Sequence, residues 1–228
     1  MLKKLKIIAR NTQEFLERYI LGNFFQALVW RSKHIYQPKW TKTSLTSLDL
    51  LHRNQLTLSI ASLKNNDSIL EIGCAAGPNL RLLREKLPNS NLFGIDINNQ
   101  AIREAQKYFG SMNDNKVFLS SRQAHHLDIF EDKNFDVVFS QAVMVCIPPP
   151  TFNRTIEQIL RVTKKTIIFN EYHKDGAVDG FFDQGRWVYD YRSIIKKYYP
   201  DAVICINNTD FKGGSWDIYG KLITITLT

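Results

Sequence analysis

The sequence predicts an α/β fold: a doubly wound, mostly parallel sheet of seven strands behind a helical N-terminal cap. Three observations carry this reading. Short apolar runs alternate with amphipathic stretches from Asp67 onward, a glycine-bracketed turn follows the first of those runs, and the chain before it shows helical periodicity.

The cap is read from residues 1–64. Leu2, Leu5 and Ile8, then Phe15, Leu16, Tyr19 and Ile20, recur at helical spacing, and Gln37-Pro38 interrupts the pattern, because a proline drives the preceding residue out of the helical region. The domain is read from residues 65–228. Its strand candidates are Ile69 to Ile72, Leu92 to Ile97, Val117 to Leu119, Val137 to Phe139 and Ile167 to Phe169, joined by amphipathic segments as βαβ units require. Two more candidates, Ala202 to Ile206 and Leu222 to Leu227, have no helix predicted between them and are expected to pair antiparallel at or near the sheet edge. No internal repeat or low-complexity tract is present.

With 228 residues and 44% hydrophobic content the chain can bury one substantial core. Its longest apolar stretch, Phe24 to Trp30 broken by Gln26, falls well short of the roughly 20 residues that span a bilayer. Met1 to Arg10 is basic and lacks the apolar run and cleavage site of a secretory signal. Cys74, Cys146 and Cys205 are odd in number and widely spaced; this suits a reducing cytoplasm and argues against structural zinc, so no metal site is expected. The net charge of +8 is localised, with 11 Lys and Arg in residues 1–64 against Glu14, Glu17 and Asp49, and 19 of each sign thereafter. Such a segment suits an acidic substrate, an anionic lipid surface, nucleic acid, or simply water. Met1 to Arg10 is a candidate amphipathic helix for an anionic membrane.

The chemistry concentrates in residues 68–80. A strand ends at Ile72, Gly73 and Gly77 bracket two alanines, and Pro78 pre-sets the first turn of a helix. Small residues admit a ligand to the backbone, and open amides at a helix start favour a negatively charged group. Two carboxylates sharpen the signal. Glu71 lies inside the strand, two residues before Gly73, where it suits a ligand with a cationic end. Asp96 ends the second strand, 25 positions later, where a carboxylate can accept both hydroxyls of a ribose.

Over residues 69–169 this pattern resembles the class I S-adenosylmethionine-dependent methyltransferases, whose fold is Rossmann-like. Glu71, Gly73, Ala75 and Gly77 match the family's glycine loop, with alanine at the usual middle glycine. Gly94 to Asn98 matches the second-strand motif, so the resemblance implies Asp96 and Ile97 as ribose-side cofactor contacts. Gln123-Ala124-His125-His126-Leu127 stands where the family often has Asp-Ala-x-x-Leu, implying Gln123 and Ala124 at the adenine. Phe135 to Val138 matches the start of the fourth strand, with Ser140 near its end as a further cofactor contact, and Ile159 to Thr166 resembles the helix-end motif before the fifth. The implied cofactor is S-adenosylmethionine, and Glu71 would face its amino group.

Methyl transfer from a sulfonium needs donor and acceptor in line and, for an oxygen or neutral nitrogen acceptor, a proton acceptor. Ligands of open α/β sheets lie beyond the carboxyl ends of the strands, which singles out Ser140, Gln141, Glu171, Tyr172 and His173. His173, assisted by Glu171, is the expected catalytic base, because an ordinary histidine pKa of about 6.5 suits neutral pH. Asp175 to Arg186, with three glycines among aromatics, reads equally as a closing loop or a packed excursion. Trp30, Tyr36 and Trp40 are candidates for the acceptor pocket's roof, or for packing within the cap.

The expected acceptor is a small molecule taking the methyl on oxygen or nitrogen, a sugar or glycan precursor being favoured, because Asn170-Glu171-Tyr172 and the helical N-terminus are similar to methyltransferases of bacterial glycan biosynthesis. RNA is the alternative, through the basic cap; Ser140 to Val143 lacks the Asn/Asp-Pro-Pro that base-amino enzymes of this resemblance carry. A cofactor-binding module without activity is a third reading. A short-chain dehydrogenase is disfavoured, since none of the nine tyrosines has Lys four places on.

Overall fold

The computed structural model describes residues 11–46, 48, 50–63 and 68–227. The expected membrane helix at Met1 to Arg10 and the expected boundary at 64/65 lie outside the described residues. The cap is helical, as periodicity indicates: a π-helical turn (Glu17–Leu21), then α1 (Phe24–Tyr36), α2 (Trp40–Thr46) and α3 (Leu51–Ala61). Pro38 stands in the break between α1 and α2.

The alternating region folds as β1 (Ser68–Ile72), α4 (Pro78–Lys86), β2 (Asn91–Asp96), α5 (Asn99–Ser111), β3 (Val117–Ser121), β4 (Phe135–Gln141), α6 (Pro149–Val162) and β5 (Thr163–Tyr172). A two-stranded hairpin follows, β6 (Phe181–Asp183) and β7 (Arg186–Val188), then α7 (Tyr191–Tyr198), β8 (Val203–Asn208), α8 (Trp216–Tyr219) and β9 (Gly220–Thr226). The seven-stranded sheet has the order β3-β2-β1-β4-β5-β9-β8. Its first five strands pair in parallel, and β9 runs antiparallel to both β5 and β8. One expectation fails: α8 does stand between the two tail strands, its four residues being too short for periodicity to register.

The period-2 alternation of each central strand feeds two cores. Leu70, Val138, Ile167 and Phe169 face one side, where α6 contributes Phe152, Ile156 and Ile159 at helical spacing. Ile69, Val137, Phe139 and Ile168 face the other, packed with Leu56 and Ile60 of α3, Leu80 and Leu83 of α4, and Phe109 of α5. Each such side chain stabilises the sheet by about 1.5–3 kcal/mol on burial. Glu71 follows Ile69 by two residues, so it shares the second side, and the same alternation brings it toward α3 and α4. The chain winds from β1 through β2 to β3, then returns to β4 on the far side of β1. That reversal opens a crevice at the carboxyl ends of β1 and β4.

Candidate active site

A cavity of about 320 Å³ occupies that crevice. Its floor is the turn after β1. Gly73, Ala75 and Gly77 all have positive φ, at 73°, 49° and 83°. At Gly73 a side chain has no room as well as no comfortable backbone, since a Cβ there would lie 2.2 Å from Val143 Cγ2. Ala75 adopts the left-handed region at a cost of about 1 kcal/mol, offset by its N–H, which donates to Asp96 Oδ2 at 2.8 Å. The amides of Gly73 and Cys74 both donate to Ile95 O, at 2.7 and 2.9 Å, fixing the turn against the end of β2.

Asp96 therefore braces the loop and lines the cavity together with Ile97. Its Oδ1 accepts from Asn98 N at 2.7 Å. Two backbone amides occupy two of the roughly four acceptor positions of a carboxylate, leaving one on each oxygen for a diol. Burial raises the Asp96 pKa, against the pull of the Asn98 and Ala75 amides and of Lys33.

Glu71 is buried at the opposite end. Its Oε1 accepts from Asn79 Nδ2 at 2.7 Å, and Asn79 Nδ2 also donates to Gln141 Oε1 at 3.0 Å. Arg53, from α3, donates through Nη1 to Asn79 Oδ1 at 2.8 Å. Burial raises the Glu71 carboxyl to about 7, opposed by the Asn79 hydrogen bond and the Arg53 charge. Glu71 Oε2, Arg53 Nε and Gln141 Nε2 are all buried without a partner among the described residues. Unpaired buried polar groups are costly. One free acceptor beside two free donors at one cavity end is the complement of a zwitterionic amino-acid head, so the residues present fit the methionine part of S-adenosylmethionine.

Gln123 and Ala124 also line the cavity, just past β3. His125 and His126 do not; their rings stack edge-on at 4.2 Å, and burial lowers His125 to about 4. Overhead, α1 and α2 supply Trp30, Lys33 and Trp40, while Tyr36 lies outside, 54% exposed. Lys33 Nζ stands 4.0 Å from the Trp30 ring centroid and 4.6 Å from that of Trp40. Burial lowers its pKa. Asn98 Nδ2 donates to Trp30 O at 2.9 Å, tying the cap to the loop after β2. His52 completes the wall, stacked on Phe211 at 3.9 Å and lowered by burial to about 4.

The structure does not bring Ser140, Glu171 or His173 to the cavity lining. Glu171 is fully buried, and both its oxygens are directed at the chain: Oε1 accepts from Ser140 Oγ at 2.7 Å and Val143 N at 2.9 Å, Oε2 from Val145 N at 3.2 Å. Burial raises it to about 7 against those donors. His173 accepts at Nδ1 from Tyr191 N and contacts Asp175 Oδ1 through Nε2, each at 3.2 Å. β5 lies one strand beyond the β1/β4 crevice, and a bridge between His173 and Tyr189 covers its end. His173, Asp175 and Asp190 form the one grouping of potential metal ligands among the described residues, but the Asp190 oxygens already accept from Ser193 and Gly176. The segment from Asp175 to Arg186 is a packed excursion: Phe182 is buried in the core, Arg18 donates to Asp179 O and Gly180 O, and none of it lines the cavity.

Several wall residues escape sequence reasoning. Arg53, Lys33 and His52 come from cap helices, and Phe211 from the β8–β9 connection; no local motif marks them. Asn79 sits beside the glycine loop in sequence, and its position on the first turn of α4 is the one available signal.

Residues 69–166 match the family described as "Methyltransferase domain". Comparison with curated proteins finds no match. Among solved structures the chain resembles an S-adenosylmethionine-dependent methyltransferase from Aquifex aeolicus at 15% identity and a TM-score of 0.62, covering 84% of this chain and 98% of that one. It also resembles magnesium protoporphyrin IX methyltransferase from Synechocystis PCC 6803 with bound cofactor, at 12% identity and a TM-score of 0.63 over 89% and 97% of the two chains. A chain in the complex of the Haloferax volcanii Trm112 activator with a putative methyltransferase aligns at 16% identity and a TM-score of 0.66 over 87% and 96%. Residues 69–166 thus match a methyltransferase domain, and the sheet order gives the chain the Rossmann-like fold of the S-adenosylmethionine-dependent methyltransferases it resembles.

Proposed function

We propose that the chain moves a methyl group from S-adenosylmethionine to an oxygen or nitrogen of a small molecule held beneath the cap, with a sugar or glycan precursor as the favoured class. The observation that carries the cofactor assignment is the trio of unpartnered buried atoms, Glu71 Oε2, Arg53 Nε and Gln141 Nε2. Glu71 holds the amino group, Arg53 and Gln141 the carboxylate, Asp96 and Ile97 the ribose side, and Gln123 and Ala124 the adenine. Gly73, Ala75 and Gly77 give the close backbone approach between them. When bound, the cofactor supplies a methyl group activated by a positively charged sulfur.

The chain's own contribution is placement and exclusion of water. Trp30 and Trp40 close the roof over Lys33. Glu171, which accepts from Ser140 Oγ, supports this arrangement from outside it: it fixes the amides of Val143 and Val145, and Val143 and Cys146 of the same segment line the cavity. The wall groups that can take a proton from an acceptor are Lys33 and His52, in the role sequence reasoning gave to His173. The three unpaired cysteines, two of them buried, fit a reducing cytoplasm.

One solved structure it resembles is a magnesium protoporphyrin IX methyltransferase and another a phosphoethanolamine N-methyltransferase, so the acceptor here must be found directly. A labelled-methyl screen over nucleotide sugars, small acids and RNA tests the proposal. RNA belongs in it because the whole positive excess lies in the cap. Label on a sugar or small acid is the expected result; label on RNA alone would overturn the small-molecule assignment, and no transfer to any class would favour a binding module.

A further inference from the structure

We propose that the outward face of the cap docks onto an anionic lipid bilayer. α1 is two-sided. Gln26, Ala27, Trp30 and Lys33 line the cavity, whereas Phe24, Leu28, Arg31 and Ile35, spaced i, i+4, i+7 and i+11, form an exposed stripe turned away from it. Phe24 is 67% exposed, Leu28 55% and Ile35 70%. The preceding turn adds Tyr19 and Ile20, and Phe15 stands 5.3 Å from Tyr19, both rings exposed. Nine of the 19 large hydrophobic side chains exposed among the described residues fall within residues 15–36, a concentration that marks an interaction surface rather than scattered exposure.

Charge selects the occupant. Residues 11–46 hold Arg18, Arg31, Lys33, Lys39 and Lys42 against Glu14 and Glu17. Glu17 is buried, accepting from Gln13, Gln26 and Trp187. Arg31, within the stripe, and Lys39 and Lys42, at the following helix, are exposed. Aromatic and aliphatic side chains at the acyl boundary with cations at the headgroup phosphates are what a surface-bound amphipathic helix presents. A second copy of this chain would bring the same positive charge and be repelled. No helix among the described residues is long and apolar enough to cross a membrane, so the contact is with the surface.

The test is cosedimentation of the full chain with phosphatidylcholine vesicles, with and without phosphatidylserine, for wild type and for Leu28→Gln/Ile35→Gln. Wild type should pellet with the anionic vesicles and not the neutral ones. The variant's vesicle affinity should fall by about tenfold or more, given two large aliphatic side chains no longer buried in lipid. Neither residue lines the cavity, so calorimetric affinity for S-adenosylhomocysteine should be unchanged, which shows the variant folded. Failure of the wild type to pellet, equal pelleting of the variant, or a wild-type dimer in sedimentation equilibrium that the variant loses would each overturn the proposal. Sedimentation requires no turnover, so this outcome is independent of the methyl acceptor.

Discussion

Calorimetric titration with S-adenosylhomocysteine across neutral pH is expected to expose the state of Glu71. Desolvation holds this carboxyl at about 7, and in its proposed role it must be ionised to meet the ligand's ammonium. At about pH 5.5 it lies some 1.5 units below that value and is roughly 3% ionised; at about pH 8 it is roughly 90% ionised. Affinity should therefore rise about 30-fold over that span, or about 2 kcal/mol at 1.36 kcal/mol per unit. Glu71→Gln should bind weakly and lose most of the slope, which separates Glu71 from Asp96, whose pKa burial also raises. The sign for the unliganded protein is the reverse. A carboxyl raised on folding is stabilising only while protonated, so the stability it contributes falls as pH climbs from 4.5 toward about 7. The loss is on the order of 3 kcal/mol, followed by urea denaturation. A wild-type affinity that varies less than about twofold, or a Glu71→Gln variant that keeps the slope, would show that Glu71 does not meet the ammonium.

Gly73→Ala should cost about 2–4 kcal/mol, from the left-handed backbone and from overpacking against Val143. Adding Val143→Ala should recover the packing part and leave the backbone part, as read from denaturation midpoints. Glu171→Gln turns an acceptor into an amide facing backbone N–H groups, so it should cost about 1.5–3 kcal/mol of stability and raise the acceptor KM, through the segment it holds. His173→Ala should leave the pH profile of methyl transfer unchanged, and a variant profile that loses its acid arm would restore it as the base.

The legible part of the site was the part built from near neighbours in sequence. Glu71, Gly73, Ala75, Gly77 and Asp96 sit on one turn and the end of the adjacent strand, where strand period and turn chemistry constrain them together. The pair expected at the adenine, Gln123 and Ala124, follows the same logic after β3, where both line the cavity. The cap's contribution was not legible, because Arg53 reaches Glu71 only through α3 packing on α4, and Lys33 enters the cavity from a helix whose face no local pattern assigns. The rule that strand ends carry ligands points to His173. That rule selects the strands at the reversal, β1 and β4, and β5 stands one place further along. Glu171, at the same strand end, is spent on holding the chain after β4, a use that only the folded partners reveal.

The turn between Glu71 and Asp96 is proposed to hold an adenosyl sulfonium. Its most direct test is calorimetry of the purified full chain with S-adenosylhomocysteine and, in parallel, with a nicotinamide dinucleotide, repeated on Asp96→Ala shown by thermal melting to be folded. Saturable binding of the nucleoside, weakened about tenfold or more by removal of a charged acceptor, with no binding of the dinucleotide, is the expected result. Occupancy by the dinucleotide alone, or nucleoside affinity undiminished in the variant, would contradict it.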